Sequence, residues 1–159
     1  MTLARLLAVP AALAALAQPA AALSCLAPSV ATSFAAADAS EAEYVMAVGR
    51  LALLPGQTIP EQPDDPNARE GYSVQARFEG RTATTEGFTQ DVTGDVTVEV
   101  GCTGAWCGGV PLDRVLVFLE RRGDDLVLTE GPCPQFALDA TPAREAEAIA
   151  CATTGCPAE

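Results

Sequence analysis

Tyr72-Ser73-Val74-Gln75-Ala76-Arg77-Phe78-Glu79 and Asp91-Val92-Thr93-Gly94-Asp95-Val96-Thr97-Val98-Glu99-Val100 set apolar against polar residues with a period of two. That period places successive side chains on opposite faces of a strand, so each stretch buries one face and shows the other to water. Two half-buried strands point to an antiparallel sheet or barrel rather than an α/β fold. Val115 to Leu119, five apolar residues in a row, reads as a strand covered on both faces. Arg121-Arg122-Gly123-Asp124-Asp125 then turns the chain into Leu126-Val127-Leu128-Thr129. Residues 44 to 54 read as a long strand, with Gly49 placed for a bulge that would let it serve two sheets. That makes five strands.

Around these strands the pattern changes. Ser33 to Ala42 is alanine-rich and is expected to form a short helix capped by Ser33 or Thr32 and held by packing of Phe34. Thr141-Pro142 supplies a cap and a first-turn proline for a second short helix over Ala143 to Ala150, with Ile149 as its apolar anchor. Residues 55 to 71 carry Pro55, Pro60, Pro63 and Pro66 among Glu61, Asp64, Asp65 and Glu70, a surface loop with no apolar face. Calcium could be held by Asp64, Asp65, Asn67 and Glu70, but the glycine and alternating oxygen ligands of an EF-hand loop are missing. The expected fold is mainly β: a five-stranded antiparallel barrel with a short N-terminal and a short C-terminal helix, cross-linked by disulfides.

Residues 1–22 read as a signal peptide: Arg5 precedes an apolar, alanine-rich run that ends at Ala20-Ala21-Ala22. Pro10, Gln18 and Pro19 interrupt that run, which argues against a membrane span. Cleavage after Ala22 leaves residues 23–159 as a single domain, destined for the periplasm or for secretion. Anchoring as a lipoprotein at Cys25 is the lesser reading, since it would leave an odd cysteine. The 159-residue chain has 21 acidic and 9 basic residues, a net charge of -12. Such a surface repels phosphate backbones, which speaks against a nucleic-acid partner.

Cys25, Cys102, Cys107, Cys133, Cys151 and Cys156 all follow the signal segment, and none forms a C-x-x-C pair. They read as structural disulfides in an oxidising compartment. Cys102 with Cys107 and Cys151 with Cys156 share a C-x4-C interval and could each close locally, leaving Cys25 for Cys133, one of fifteen connectivities. The chain contains neither histidine nor lysine. That removes the usual general base near neutral pH, the commonest zinc ligand, imidazole-based nucleophile activation and Schiff-base chemistry. No catalytic residue, metal site or cofactor is therefore expected. Trp106, the one tryptophan, sits between Cys102 and Cys107. It reads either as a contact residue on a disulfide loop or as a buried plug at the end of the barrel.

One set of residues resembles a known family. The set runs through Ser24-Cys25-Leu26-Ala27-Pro28, a helix with Phe34, the strand ending Val48-Gly49-Arg50-Leu51, Val96-Thr97-Val98 and Cys107-Gly108-Gly109. It continues with Leu116-Val117-Phe118 and with Leu126 to Cys133. Over roughly residues 24 to 140 the chain resembles the netrin-like domains, in particular the tissue-inhibitor-of-metalloproteinases-like proteins of bacteria. The resemblance implies an OB-fold barrel of five strands and a bridge from Cys25 to Cys133. In the inhibitors a free N-terminal cysteine places its amino group and carbonyl on a protease zinc. Many members have Cys-x-Cys where this chain has Ser24-Cys25, and cleavage after Ala22 would leave Leu23 and Ser24 ahead of Cys25.

The function expected is a noncatalytic exported binding domain for an unidentified protein or small ligand of the cell envelope or exterior. A metalloprotease inhibitor acting through the N-terminal segment is one alternative. A thiol-disulfide redox protein is the other, although neither C-x4-C loop contains the basic residue that would stabilise a thiolate.

Overall fold

The computed structural model describes residues 24–156, so residues 1–22, expected to be a signal peptide, lie outside the described residues. Helix α1 (Val30–Asp38) leads into strand β1 (Glu43–Leu53). A long loop with a single 3-10 turn (Pro66–Ala68) then reaches β2 (Tyr72–Thr84). Next come β3 (Gly87–Val100), the two short strands β4 (Cys102–Thr103) and β5 (Trp106–Cys107), β6 (Arg114–Arg122) and β7 (Asp125–Glu130). The described chain closes with β8 (Ala137–Asp139) and helix α2 (Pro142–Thr154).

Five strands close a ring in the order β1-β2-β3-β7-β6, with β6 returning to β1. The ring is not wholly antiparallel: β3 and β7 run parallel, Val96 opposite Leu126 through Val100 opposite Glu130. The reason is parity. Each antiparallel step reverses strand direction, so a closed circuit of five strands cannot return to its start without at least one parallel step. The expectation of an antiparallel five-stranded closure was therefore geometrically unattainable. β8 lies outside the circuit, paired with the first residues of β6.

Period-two alternation fills the interior. Val74, Ala76 and Phe78 from β2 and Val96, Val98 and Val100 from β3 meet Ala47, Leu51, Val115, Val117, Leu119 and Leu128 in one buried cluster. The alternate residues of β6, Leu116 and Phe118, face outward into a second cluster with Val30, Val48, Leu138, Ala148 and Cys151. That is why Val115 to Leu119 shows no alternation: the ring's interior covers one face and the helices cover the other. Burial of each such side chain is worth roughly 1.5–3 kcal/mol, so the outer layer is a second core in its own right.

Gly49 does not mark a bulge. β1 stays in register with both neighbours through it, Gly49 opposite Gly80 on β2 and Val115 on β6. Its role is close approach: a Cβ there would lie 2.6 Å from the Phe78 ring and 2.8 Å from the Gly80 Cα. The irregularity falls instead in the β2–β3 hairpin, between Thr82 and Ala83, where the register shifts. Such a shift bends the pair and raises its twist. Phe88, beyond that shift, packs against the outer cluster.

Both helices depart from the expected detail. α1 begins three residues earlier than expected, because Ser29 and Thr32 form a reciprocal capping box. α2 takes its cap from Thr141 with Pro142 in the first turn. Its buried anchors are Ala148 and Cys151, whereas Ile149 is only half-buried. One residue along a helix is a rotation of about 100°, enough to carry Ile149 off the contact face. Residues 55–71 are solvated almost throughout.

All six cysteines are bonded, Cys25 to Cys133, Cys102 to Cys107 and Cys151 to Cys156. Three disulfides fit an oxidising compartment. Among the described residues no helix is long and apolar enough to cross a membrane.

Candidate functional site

The strand directions collect the long connections at one end of the ring. β3 leaves the ring there, β6 enters and β7 leaves, so the chain between β3 and β6 and the loop after β7 share that end. The opposite end is finished by the short β2–β3 and β6–β7 turns.

At the first end β4 and β5 form a hairpin with Cys102 opposite Cys107 and Thr103 opposite Trp106. Gly104, at φ +58, supplies the left-handed turn that a two-residue connection needs. The hairpin is rooted on the end of β7: the Gly101 N–H donates to the Glu130 carbonyl at 2.8 Å, and the Gly108 N–H to the Gly101 carbonyl at 3.0 Å. Gly108 lies so close that a Cβ would come within 2.7 Å of the Gly131 carbonyl oxygen. Arg69, from the Pro/acid-rich loop, donates to the Ala105 carbonyl at 3.2 Å. Trp106 is 48% exposed, so it is no buried plug of the ring.

The loop after β7, Gly131 to Phe136, carries Cys133 and hence the bond to Cys25. It is held again by Ser33 of α1, whose hydroxyl donates to the Gln135 carbonyl. Residues 24–28 are thereby clasped against the loop, and between them runs a groove of about 420 Å³ lined by Cys25, Leu26, Pro28, Cys133, Pro134 and Gln135.

Between these two loops lies the most unusual side chain of the chain. Glu130 follows Leu126 and Leu128 on the inward parity of β7 and is only 3% exposed. β7 pairs with β6 only over Asp125 to Val127, and β8 takes up the first residues of β6. Glu130 spans the resulting gap, its carboxyl directed toward the backbone N–H groups of Phe136 and Ala137, where the chain enters β8. Its Oε1 is buried and has no hydrogen-bond donor among the described residues. Burial raises its pKa to about 7, against the opposing pull of the backbone N–H groups of Phe136 and Ala137. The gap is a cavity of about 340 Å³, walled by Val110, Pro111, Val115, Pro132, Pro134 and Ala137 beside Glu130. Asp139, largely exposed and 3.6 Å from Arg144, is the other titratable residue on its lining.

The structure thus gathers Cys25, Cys133, Cys102, Cys107 and Trp106 at one end, and places Cys151 and Cys156 apart, at the end of α2. Glu130 is the residue that sequence reasoning missed. The signal was present: an acid two residues beyond Leu128, on the face that the period-two pattern sends inward. Among the described residues no group of three or more histidine, cysteine, aspartate or glutamate side chains is placed to hold a metal ion. Comparison with protein-family models, curated proteins and solved structures finds no match to this chain.

Proposed function

We propose that this chain is a noncatalytic exported binding domain that engages its partner at the disulfide-braced end of the ring. The observation that carries this reading is Trp106: a large aromatic, 48% exposed, fixed on a hairpin closed by a disulfide and set beside a cavity. Tryptophan anchors are enriched among the residues that carry binding energy, and a rigid loop loses little entropy on association. Leu112, also exposed, follows the cavity-lining Pro111 and widens the apolar surface. We read the ring as an OB-like barrel of the netrin-like, tissue-inhibitor-of-metalloproteinases-like kind. Five strands in a closed circuit, a helix on either side of them in sequence and a bridge from Cys25 to Cys133 support that reading.

The test is affinity capture from the exported protein fraction, comparing the wild type with a Trp106→Ala, Leu112→Ala double variant. The expected result is a protein retained by the wild type and lost by the variant; identical captures overturn the reading.

One observation favours protease inhibition as a second reading. Leu26 is 92% exposed on a segment clasped by the Cys25–Cys133 bridge, a presentation that suits insertion into a protease cleft. It predicts that the exported protein, with its native N-terminus, slows a zinc metalloprotease in a stoichiometric titration, and that Leu26→Arg abolishes the effect. The redox reading finds less support, since Arg69 donates to a carbonyl of the hairpin rather than approaching a sulfur.

A further inference from the structure

We infer that the cavity between the β2–β3 hairpin and helix α2 is a binding site for a small monocarboxylate with an apolar tail, whose carboxylate meets Arg114 and Arg81 and whose tail lies along Val48, Phe88 and Ile149. The site is on the outer face of the ring, away from Trp106, and goes beyond the binding reading above.

The strands open the cavity. β1 accompanies β2 only as far as Ala47 opposite Thr82, and the register of β2 with β3 shifts just beyond. The hairpin brings Phe88 onto the outer cluster, and α2 packs on the same cluster through Ala148. Between them is a cavity of about 480 Å³, lined by Val48, Arg81, Phe88, Arg114, Glu145 and Ile149. That volume is within the range of small-ligand sites. Ile149, which its place on α2 carries off the contact face with the outer core, makes a wall here, and like Phe88 it is only half-buried.

The charged groups on that lining are accessible and incompletely used. Arg114 Nη1 donates to the Ala140 carbonyl at 3.1 Å and to Glu145 Oε1 at 2.5 Å. Those bonds hold the guanidinium in place and leave Nε and Nη2 without a partner among the described residues. Nε and Nη2 form the side-on fork of a guanidinium, which receives a carboxylate through two parallel hydrogen bonds. The Arg81 guanidinium has neither a hydrogen bond nor an ion pair among the described residues, although Asp91 stands opposite it on β3. Arg77, Arg121, Arg122 and Arg144 are each ion-paired to an acid. Solvent reaches both groups of the cavity: the Arg114 side chain is 40% exposed, and Arg81 is exposed.

The same lining selects the ligand. Two guanidinium groups stand against one carboxylate, Glu145, which is already paired, so the cavity matches a single negative charge. A polyanion would meet the long-range repulsion of a chain whose net charge is -12. Val48, Phe88 and Ile149 give that monoanion an apolar surface on which to bury a hydrocarbon tail.

The test is a ¹H–¹⁵N NMR titration of the disulfide-intact protein with sodium hexanoate at neutral pH and fixed ionic strength. The amides of Gly87, Phe88, Ala146 and Ile149 are expected to shift and saturate. Hexan-1-ol and n-hexylammonium should each bind about tenfold more weakly, because neither makes the charge-assisted bonds. Arg81→Gln removes no contact within the fold and should weaken hexanoate binding by about tenfold. Arg114→Lys keeps a cation for Glu145 but loses the fork, and should weaken hexanoate by a similar factor while leaving hexan-1-ol unchanged. Ala146→Leu is an independent variant: Ala146 is an exposed helix position on the lining, so leucine keeps the helix and fills the cavity, and saturation should vanish. Shifts that do not saturate, equal affinity for hexanoate and n-hexylammonium, or an affinity unchanged by either Arg81→Gln or Ala146→Leu overturn the inference.

Discussion

Cys102–Cys107 and Cys151–Cys156 close loops of the same length by the same C-x4-C interval, yet they do different work. The first encloses Thr103-Gly104-Ala105-Trp106 and staples a β-hairpin whose side chains face solvent. The second encloses Ala152-Thr153-Thr154-Gly155 and ends a helix: the Thr153 and Thr154 hydroxyls bond back to the Ile149 and Ala150 carbonyls, and the Gly155 N–H donates to the Cys151 carbonyl. Cys151 is 2% exposed in the outer core, whereas Cys102 and Cys107 are half-buried. The shared C-x4-C interval permits local closure in both, and both close locally. What lies between the cysteines decides whether the loop displays a residue or locks an element down.

The bridge that spans the chain gives the upper limit against which the two short ones are scaled. Replacing both Cys25 and Cys133 by serine releases a loop of about 100 residues, for an expected loss of about 4.7 kcal/mol. Denaturant unfolding checks it, and a loss no greater than that of a short bridge would show that Ser33 alone pins the N-terminal segment. The comparison itself is broken or kept by the paired variants Cys151→Ala, Cys156→Ala and Cys102→Ala, Cys107→Ala. Each loses about 2 kcal/mol of loop constraint. The first also leaves a small void in the outer core, so about 3 kcal/mol is expected there against about 2 for the hairpin. Equal losses would mean that the hairpin is as much a part of the core as the helix end.

Next in size is the pH dependence that marks the hairpin's end as the strained one. Glu130 has a folded pKa of about 7, raised by burial above its ordinary value near 4.5. The folded state therefore binds its proton more tightly than the unfolded state does. The stability this provides is present in acid and is lost as pH rises from about 4.5 through about 7. The wild type minus Glu130→Gln difference should fall by about 2 kcal/mol between pH 5 and pH 8 in paired thermal or denaturant melts. A flat difference would place Glu130 in contact with water.

How much of this was legible in the sequence follows from the physics of each signal. The alternation of Val74, Ala76 and Phe78 and of Val96, Val98 and Val100 reports an inward face directly, because a strand covered on one face sends successive side chains to core and to water in turn. The run Val115 to Leu119 announced a strand covered twice, and Thr141-Pro142 announced a helix start. Non-local geometry was silent. Nothing near Gly49 says that Gly80 will lie opposite it, so close approach looked like a bulge. The β3–β7 parallel pair follows only once the ring is known to close on five strands. Glu130 is hard to see in the sequence because Leu126-Val127-Leu128-Thr129 presents as a plain apolar segment, and the inward parity of residue 130 shows only when the period of two is extended past it.

The smallest effects lie at the turns of the two loops. Gly104 has φ +58 while Ala105 after it has no positive φ, which is the pattern of a II′ hairpin turn whose first position is kept for glycine. Gly155, at φ 88 and ψ 150, occupies a region almost closed to residues with a Cβ. Gly104→Ala and Gly155→Ala should each destabilise by about 1 kcal/mol, measured by equilibrium unfolding. No loss at either position would remove the need for glycine in that loop.

The central claim is that the hairpin end binds and the helix end holds. A photo-crosslinking amino acid placed at position 106, on the hairpin, and in a second protein at position 153, on the last turn of α2, tests it in the native cells. The account predicts a discrete cross-linked product from position 106 and none from position 153. Products of equal yield from both positions, or from position 153 alone, would contradict it.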